Sequence, residues 1–251
     1  MSEFIDTERR GRVLVLTIHR PDQLNALTHD MYSSLAQGLE DLSSDDTLRA
    51  AVITGRGEYF TAGNDLGDFA RGMPEGKPPV MRFLEALRDA PKPVIAAVNG
   101  PAIGVGLTLL LHCDLSYASE SATFRAPFPQ VGVVPEAGSS LLLPQAVGMA
   151  WANDILIAGR TLNAEEAVAI GLVSRVFADD ELLPETLTIA AGVAGQAPNA
   201  TRKSKALIRG GREALVEQMK REGKDFFEQL QSAEFRESVA AIREKRAPNF
   251  D

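Results

Sequence analysis

Apolar positions along this chain switch repeatedly between a period of two and a period near 3.6. Arg12 to His19 alternates, with Val13, Val15 and Thr17 on one face, and predicts a strand. Met31, Leu35, Leu39 and Leu42 then fall on one helical stripe, with Thr28 placed to cap its start. Short apolar runs at Ala50–Thr54 and Pro93–Val98 predict buried strands, and Val80–Ala90 a helix between them. Gly67 to Pro79 is rich in glycine, proline and charge and predicts a loop bordering a ligand site. Ile103 to His112 is apolar all round and predicts a buried helix. Strands follow at Leu115–Ala118, Ala122–Ala126 and Val173–Phe177. Pro135 to Val147 predicts a helix with Pro135 in its first turn. Asn163 and Glu166 have the spacing of a capping box, and Gly171 ends that short helix. From Leu182 onward only helical patterning remains, with stripes at Leu215, Met219, Phe226, Phe227, Leu230 and at Phe235, Val239, Ile242. Alternating strands and helices followed by helices alone make the fold class α/β with a helical tail.

Composition narrows the function classes. The 251 residues carry a net charge of −8, which argues against a nucleic-acid partner. The charge is uneven, +3 from Thr201 to Asp251 and −11 elsewhere, which suits an anionic ligand near the tail as well as a solvated helix face. Cys113 is the only cysteine, so no intrachain disulfide forms and a reducing compartment fits. Met1 to Asp6 lacks the basic and apolar regions of a signal peptide, and Ala102 to Leu111 is too short to span a bilayer. The expectation is a cytoplasmic protein with no membrane association. His19, His29 and His112 have no metal-ligand spacing, so no metal is expected.

Two glycine-containing junctions carry the candidate chemistry. Phe60-Thr61-Ala62-Gly63-Asn64-Asp65-Leu66 follows one strand, and Asn99-Gly100-Pro101-Ala102-Ile103-Gly104-Val105-Gly106 follows another. Backbone N–H groups exposed at such junctions can hold an oxyanion, one from each junction. Each junction alone is also what an ordinary turn looks like.

Together with His19-Arg20-Pro21, Asn25-Ala26-Leu27, Cys113-Asp114, Pro135-Glu136-Ala137-Gly138-Ser139-Ser140 and the tail Glu244 to Phe250, these motifs resemble the crotonase superfamily of enoyl-CoA hydratases and isomerases. The resemblance covers nearly the whole chain. It implies a spiral of ββα units in an acyl-CoA-binding core, residues 1–195, and a helical C-terminal region, residues 196–251, that packs trimers or hexamers. It implies that the N–H groups of Asn64 and Val105 are the oxyanion donors. One such donor is worth roughly 3–4 kcal/mol to a thioester enolate. It places Ala26, Leu27, Ala62, Gly63, Asp65, Leu66 and Gly104 at the acyl-CoA, and Lys245 at the CoA 3′-phosphate of a neighbouring subunit. Asp65 itself reads as a cap of the helix after the oxyanion loop rather than as a catalytic group.

The acid/base residues separate the reactions on this scaffold. Hydratases of the superfamily use two glutamates. At the matching places this chain has Thr108 and Phe128, neither of which shuttles a proton near neutral pH. Glu136 remains. Read alone, it is a surface residue in a helix's first turn. Its segment, with Gly63-Asn64-Asp65-Leu66, resembles the peroxisomal-type Δ3,Δ2-enoyl-CoA isomerases, which implies a single catalytic glutamate at Glu136. The expected activity is therefore Δ3,Δ2-enoyl-CoA isomerisation of a fatty acyl-CoA without cofactor. An enoyl-CoA hydratase or other crotonase-type enzyme, and a non-catalytic acyl-CoA binding protein, are the alternatives.

Overall fold

A computed structural model describes residues 2–65, 67–68 and 76–250. In chain order the strands are β1 Ile5–Arg10, β2 Val13–Ile18, β3 Ala50–Gly55, β4 Val94–Val98, β5 Ala102–Ile103, β6 Leu115–Ser119, β7 Thr123–Arg125, β8 Leu162–Asn163 and β9 Arg175–Phe177. The helices used below are α1 His29–Ser44, α2 Pro79–Asp89, α3 Val105–Thr108, α4 Ser139–Val147, α5 Met149–Leu156, α6 Ala164–Ala169, α7 Leu182–Gly195, α8 Pro198–Ile208, α9 Arg212–Gln229 and α10 Ala233–Glu244.

The larger sheet runs β1-β2-β3-β4-β6-β9. Only β1 is antiparallel to its neighbour. Helices cover both faces. Leu14, Leu16 and Ile18 of β2 enter the main core, against Met31, Leu35, Leu39 and Leu42 of α1. Val13, Val15, Val52 and Ile95 face the other side, where α7 closes a smaller core through Leu182, Ala190 and Ala194. Burial on both faces explains why β3 and β4 read as apolar runs, and why the alternation expected for β2 is between two apolar faces. Thr28 caps α1 by accepting from the Met31 N–H, and Asn163 with Glu166 completes the predicted capping box.

A second sheet, β5-β7-β8, stands at the end of the first. The stretch 103–112 departs from the expected single helix. Ile103 ends a strand, Val105–Thr108 makes one α-helical turn, and Leu109–His112 continues as 3-10 helix. Gly104, at φ 57 and ψ −116, is the residue that turns strand into helix, a conformation that glycine adopts without Cβ strain.

The tail is tied to this turn by charge. Lys205 of α8 meets Asp114 at 2.7 Å and donates to the Lys92 carbonyl at 2.9 Å. Arg209 caps the open end of the 3-10 turn through the Leu111 and His112 carbonyls, at 2.8 and 3.1 Å. Among the described residues no helix is long and apolar enough to cross a membrane.

Candidate active site

The two glycine junctions lie side by side. Thr61 and Ala102 form a parallel bridge, closed by Thr61 N–H to Pro101 O at 3.1 Å and Ile103 N–H to Thr61 O at 3.0 Å. Asn64 and Val105 each follow that bridge by three residues, so the pairing brings them to the same place. Leu27 pairs with the other side of the first junction. Its N–H donates to Gly63 O and its carbonyl accepts from Asp65 N–H. In such a pairing the N–H of the intervening Asn64 points away from Leu27. Among the described residues neither the Asn64 nor the Val105 N–H has an acceptor. Two free, fixed donors therefore face one cavity, as an oxyanion hole requires. Gly63 sits at φ 90, and a Cβ there would stand 2.9 Å from the Ile103 carbonyl oxygen, so a side chain would push the junctions apart.

That cavity has a volume of about 580 Å³. Ala26, Ala62, Gly63, Asn64, Asp65, Gly104, Val105 and Glu136, all among the candidate site residues, line it. Leu27 does not. Its side chain is fully buried in the main core, and it serves the site by holding the Asn64 junction through its backbone. Lys245 also stands outside the lining, exposed at the end of α10. Leu66 and residues 69–75 of the expected loop lie outside the described residues.

The structure adds functional roles that the sequence hides. The Asn64 side-chain oxygen accepts from the buried Tyr32 hydroxyl, so the side chain steadies the junction that the backbone donor belongs to. Asn25, fully buried, accepts from Arg20 N–H at 2.8 Å and donates to the Arg56 and Tyr59 carbonyls at 2.9 and 2.6 Å, fixing the loop that carries Ala26. The C-terminal stripes, which predict packing alone, supply a wall of the cavity through Phe226, Leu230, Phe235, Val239 and Ile242. Asp65 caps rather than shuttles. Burial works against its charge, but Arg20 at 2.7 Å and the Asp68 N–H outweigh this and leave its carboxyl below the usual range.

Glu136 lies in a turn and not in the helix expected from Pro135. Ala137 and Gly138 both have positive φ, 59 and 74, so α4 begins only at Ser139. The turn holds the carboxylate, half-buried, between the large cavity and a smaller one of about 30 Å³ lined by Val80, Met81, Leu84 and Phe227. Thr108, one turn after the Val105 donor, gives its hydroxyl proton to Glu136 Oε1 at 2.5 Å. His112 Nε2 meets the Ala137 carbonyl at 2.6 Å and holds the strained residue. Burial pushes the His112 pKa down to about 4, so the ring is neutral and Nε2 carries its proton.

Burial pushes the Glu136 carboxyl up to about 7, against the Thr108 hydrogen bond and with help from the charge of Glu222. An ordinary glutamate, at 4.5, is already ionised in the unfolded chain when this one still holds its proton. Its contribution to stability is therefore complete below pH 4.5 and lost as pH rises to about 7. Glu136→Gln removes that loss. The variant should gain roughly 1–2 kcal/mol over the wild type at pH 8 relative to pH 4, read from urea midpoints at both pH values.

A cavity with two converging N–H donors and one carboxyl poised near neutral pH can stabilise an enolate and move a proton beside it. Among the described residues no group of three or more His, Cys, Asp or Glu is placed to hold a metal ion. The sequence model of the family described as Enoyl-CoA hydratase/isomerase matches residues 8–251. Enoyl-CoA delta isomerase 2 of Rattus norvegicus is 41% identical over 79% of this chain, which spans 52% of that protein's length. The 2,3-dehydroadipyl-CoA hydratase of Escherichia coli K12 is 35% identical over 100% of this chain and 99% of its own. The crystal structure of an enoyl-CoA hydratase/isomerase from Pseudoalteromonas atlantica T6c superposes with a TM-score of 0.96 at 57% identity, covering 99% of this chain and 100% of that one.

Proposed function

This chain belongs to the enoyl-CoA hydratase/isomerase family, and we propose that it moves the C3–C4 double bond of an enoyl thioester to C2–C3 with Glu136 as its one acid/base group. One observation carries this reading: of the carboxylates that line the cavity among the described residues, Asp65 is engaged by Arg20, which leaves Glu136 to exchange a proton. The two places where hydratases of the superfamily have glutamates serve other ends here. Thr108 holds Glu136, and Phe128 lines the cavity wall.

In this reading the steps are as follows. The thioester carbonyl oxygen takes the Asn64 and Val105 N–H groups. Glu136 removes a proton from C2, and the C–H electrons delocalise into a dienolate whose oxyanion those donors stabilise. Thr108 occupies Oε1, which leaves Oε2 for the proton. The protonated Glu136 then delivers it to C4, the double bond settles at C2–C3, and the carboxylate is restored. A carboxyl near pH 7 suits both halves, because it accepts and releases a proton with similar ease. No cofactor enters these steps. Arg243 and Ile242 of α10 flank the cavity where the CoA portion of a fatty acyl-CoA would leave. Lys245 would reach a CoA 3′-phosphate on a neighbouring copy in a trimer or hexamer.

The test is a pair of initial rates, isomerisation of 3-enoyl-CoA and hydration of 2-enoyl-CoA of the same chain length. Isomerisation should be far the faster. Hydration at an equal or higher rate would assign the chain to the hydratase branch that the Escherichia coli relative's name represents. Asn64→Ala leaves the backbone donor in place but strands the Tyr32 hydroxyl. It should lose roughly 1–3 kcal/mol of stability while keeping turnover within about tenfold, read by denaturant unfolding and by the same assay.

A further inference from the structure

Glu222 is a buried carboxylate, 6% exposed, that the steps above do not use. It lies on α9, far along the chain from the turn it serves. Its Oε2 accepts from Gly138 N–H at 2.5 Å, and its Oε1 accepts from Ser140 N–H at 3.0 Å and from the Ser140 hydroxyl. Gln218, one turn earlier on α9, donates to Ser140 Oγ at 2.8 Å, so the Ser140 proton is directed at Glu222. Helix α4 has no cap of its own, because Gly138 occupies that place. Glu222 therefore caps α4 from another helix, at the turn that begins with Glu136. The same α9 supplies Met219, Gly223 and Phe226 to the cavity walls, so one element shapes the acyl space and anchors the base.

We propose that Glu222 is a positioning residue for the reaction: through Gly138 and Ser140 it holds the turn that carries Glu136 against the cavity. Three donors on its oxygens favour the ionised form. Burial raises its pKa above that of an ordinary glutamate, and the bonds from Ser140 and Gly138 oppose that rise without cancelling it. The groups that face the two carboxylates are few. Among the described residues, Tyr32 comes from α1, Thr108 from the oxyanion turn and Ser140 from α4, while His112 bonds the Ala137 carbonyl of the turn itself. From α2, Arg88 reaches only the Met219 sulfur and pairs with Asp89. Among the described residues no Lys or Arg pairs with Glu136 or Glu222. Among the described residues no cation therefore stands between the charge of Glu222 and Glu136.

The inference rests on Glu136 being the base. Its test is kcat and KM against pH for Glu222→Gln, Glu222→Asp and Ser140→Ala, with Glu136→Gln beside them. Glu222→Gln keeps the volume but removes the charge and turns an NH₂ toward one of the N–H groups. Its kcat should fall roughly 10–100-fold with KM changed less than about threefold, as displacement of a reacting group does. The acid limb of its kcat/KM profile should move to lower pH by about half to one pH unit, because the like charge that raised Glu136 is gone. Glu222→Asp keeps the charge, so its acid limb should stay at the wild-type position while kcat falls. Ser140→Ala should lose about 3–10-fold in kcat at unchanged KM. A folded Glu222→Gln enzyme with wild-type kcat and acid limb overturns the proposal. Should that variant fail to fold, wild-type kcat in both Glu222→Asp and Ser140→Ala overturns it. Those results beside an inactive Glu136→Gln would remove the role of Glu222 alone. Continued turnover by Glu136→Gln would remove the base itself.

Discussion

Glu136→Gln should fold, bind acyl-CoA with near-normal affinity and lose isomerisation by at least the roughly 10²–10⁴-fold typical of a general base. Gln fills the same space between the two cavities and can still accept the Thr108 hydroxyl, so binding and packing have little reason to change. What it cannot do is take a proton from C2 and return one to C4. Asp65, the other carboxylate on the cavity wall among the described residues, is held by Arg20 and the Asp68 N–H and is not free to substitute. Exchange of the C2 proton with solvent deuterium should vanish together with turnover, since both start with the same abstraction. Turnover within tenfold of the wild type would place the base elsewhere. The same variant should gain stability relative to the wild type as pH rises from 4 to 8, which separates a lost catalytic group from a damaged fold.

Val105→Pro should lower turnover roughly 10²–10³-fold, the effect of deleting one oxyanion donor. Val105 is the first residue of α3, where proline's fixed φ is accommodated and only the N–H is lost. Its side chain is buried, 2% exposed, so some packing changes as well. Val105→Ala supplies the control: it loses comparable packing but keeps the N–H, and its kcat should remain near the wild type. Circular dichroism and thermal unfolding of both variants check the fold. A folded Val105→Pro enzyme with the turnover of Val105→Ala would exclude this N–H from catalysis.

Local signals in the chain specify the structure where it is locally determined. The Thr28 cap, the Asn163–Glu166 capping box and the apolar runs of β3 and β4 follow from side chains within a few residues of each other. The two glycine junctions were legible because a strand followed by glycine forces a turn with exposed N–H groups. The turn at Glu136 was not, because Pro135 suits a helix start and only tertiary contacts hold Ala137 and Gly138 at positive φ. His112 and Glu222 supply those contacts from remote segments. The uniform apolarity of 103–112 likewise concealed a strand end and a 3-10 turn, since burial alone does not distinguish them. The C-terminal stripes marked an apolar face without marking that part of it borders a cavity. Leu27 and Asn25 show the converse: a motif that points to a ligand can act by holding the loop that the ligand meets.

The central claim is that one carboxyl moves a proton within the substrate and no water is added. Incubating the wild-type protein with 3-enoyl-CoA in H₂¹⁸O, followed by mass spectrometry of the thioester at early times, tests it most directly. The account predicts a 2-enoyl-CoA product of unchanged mass with no ¹⁸O. A 3-hydroxyacyl-CoA carrying ¹⁸O as the principal early product would contradict it.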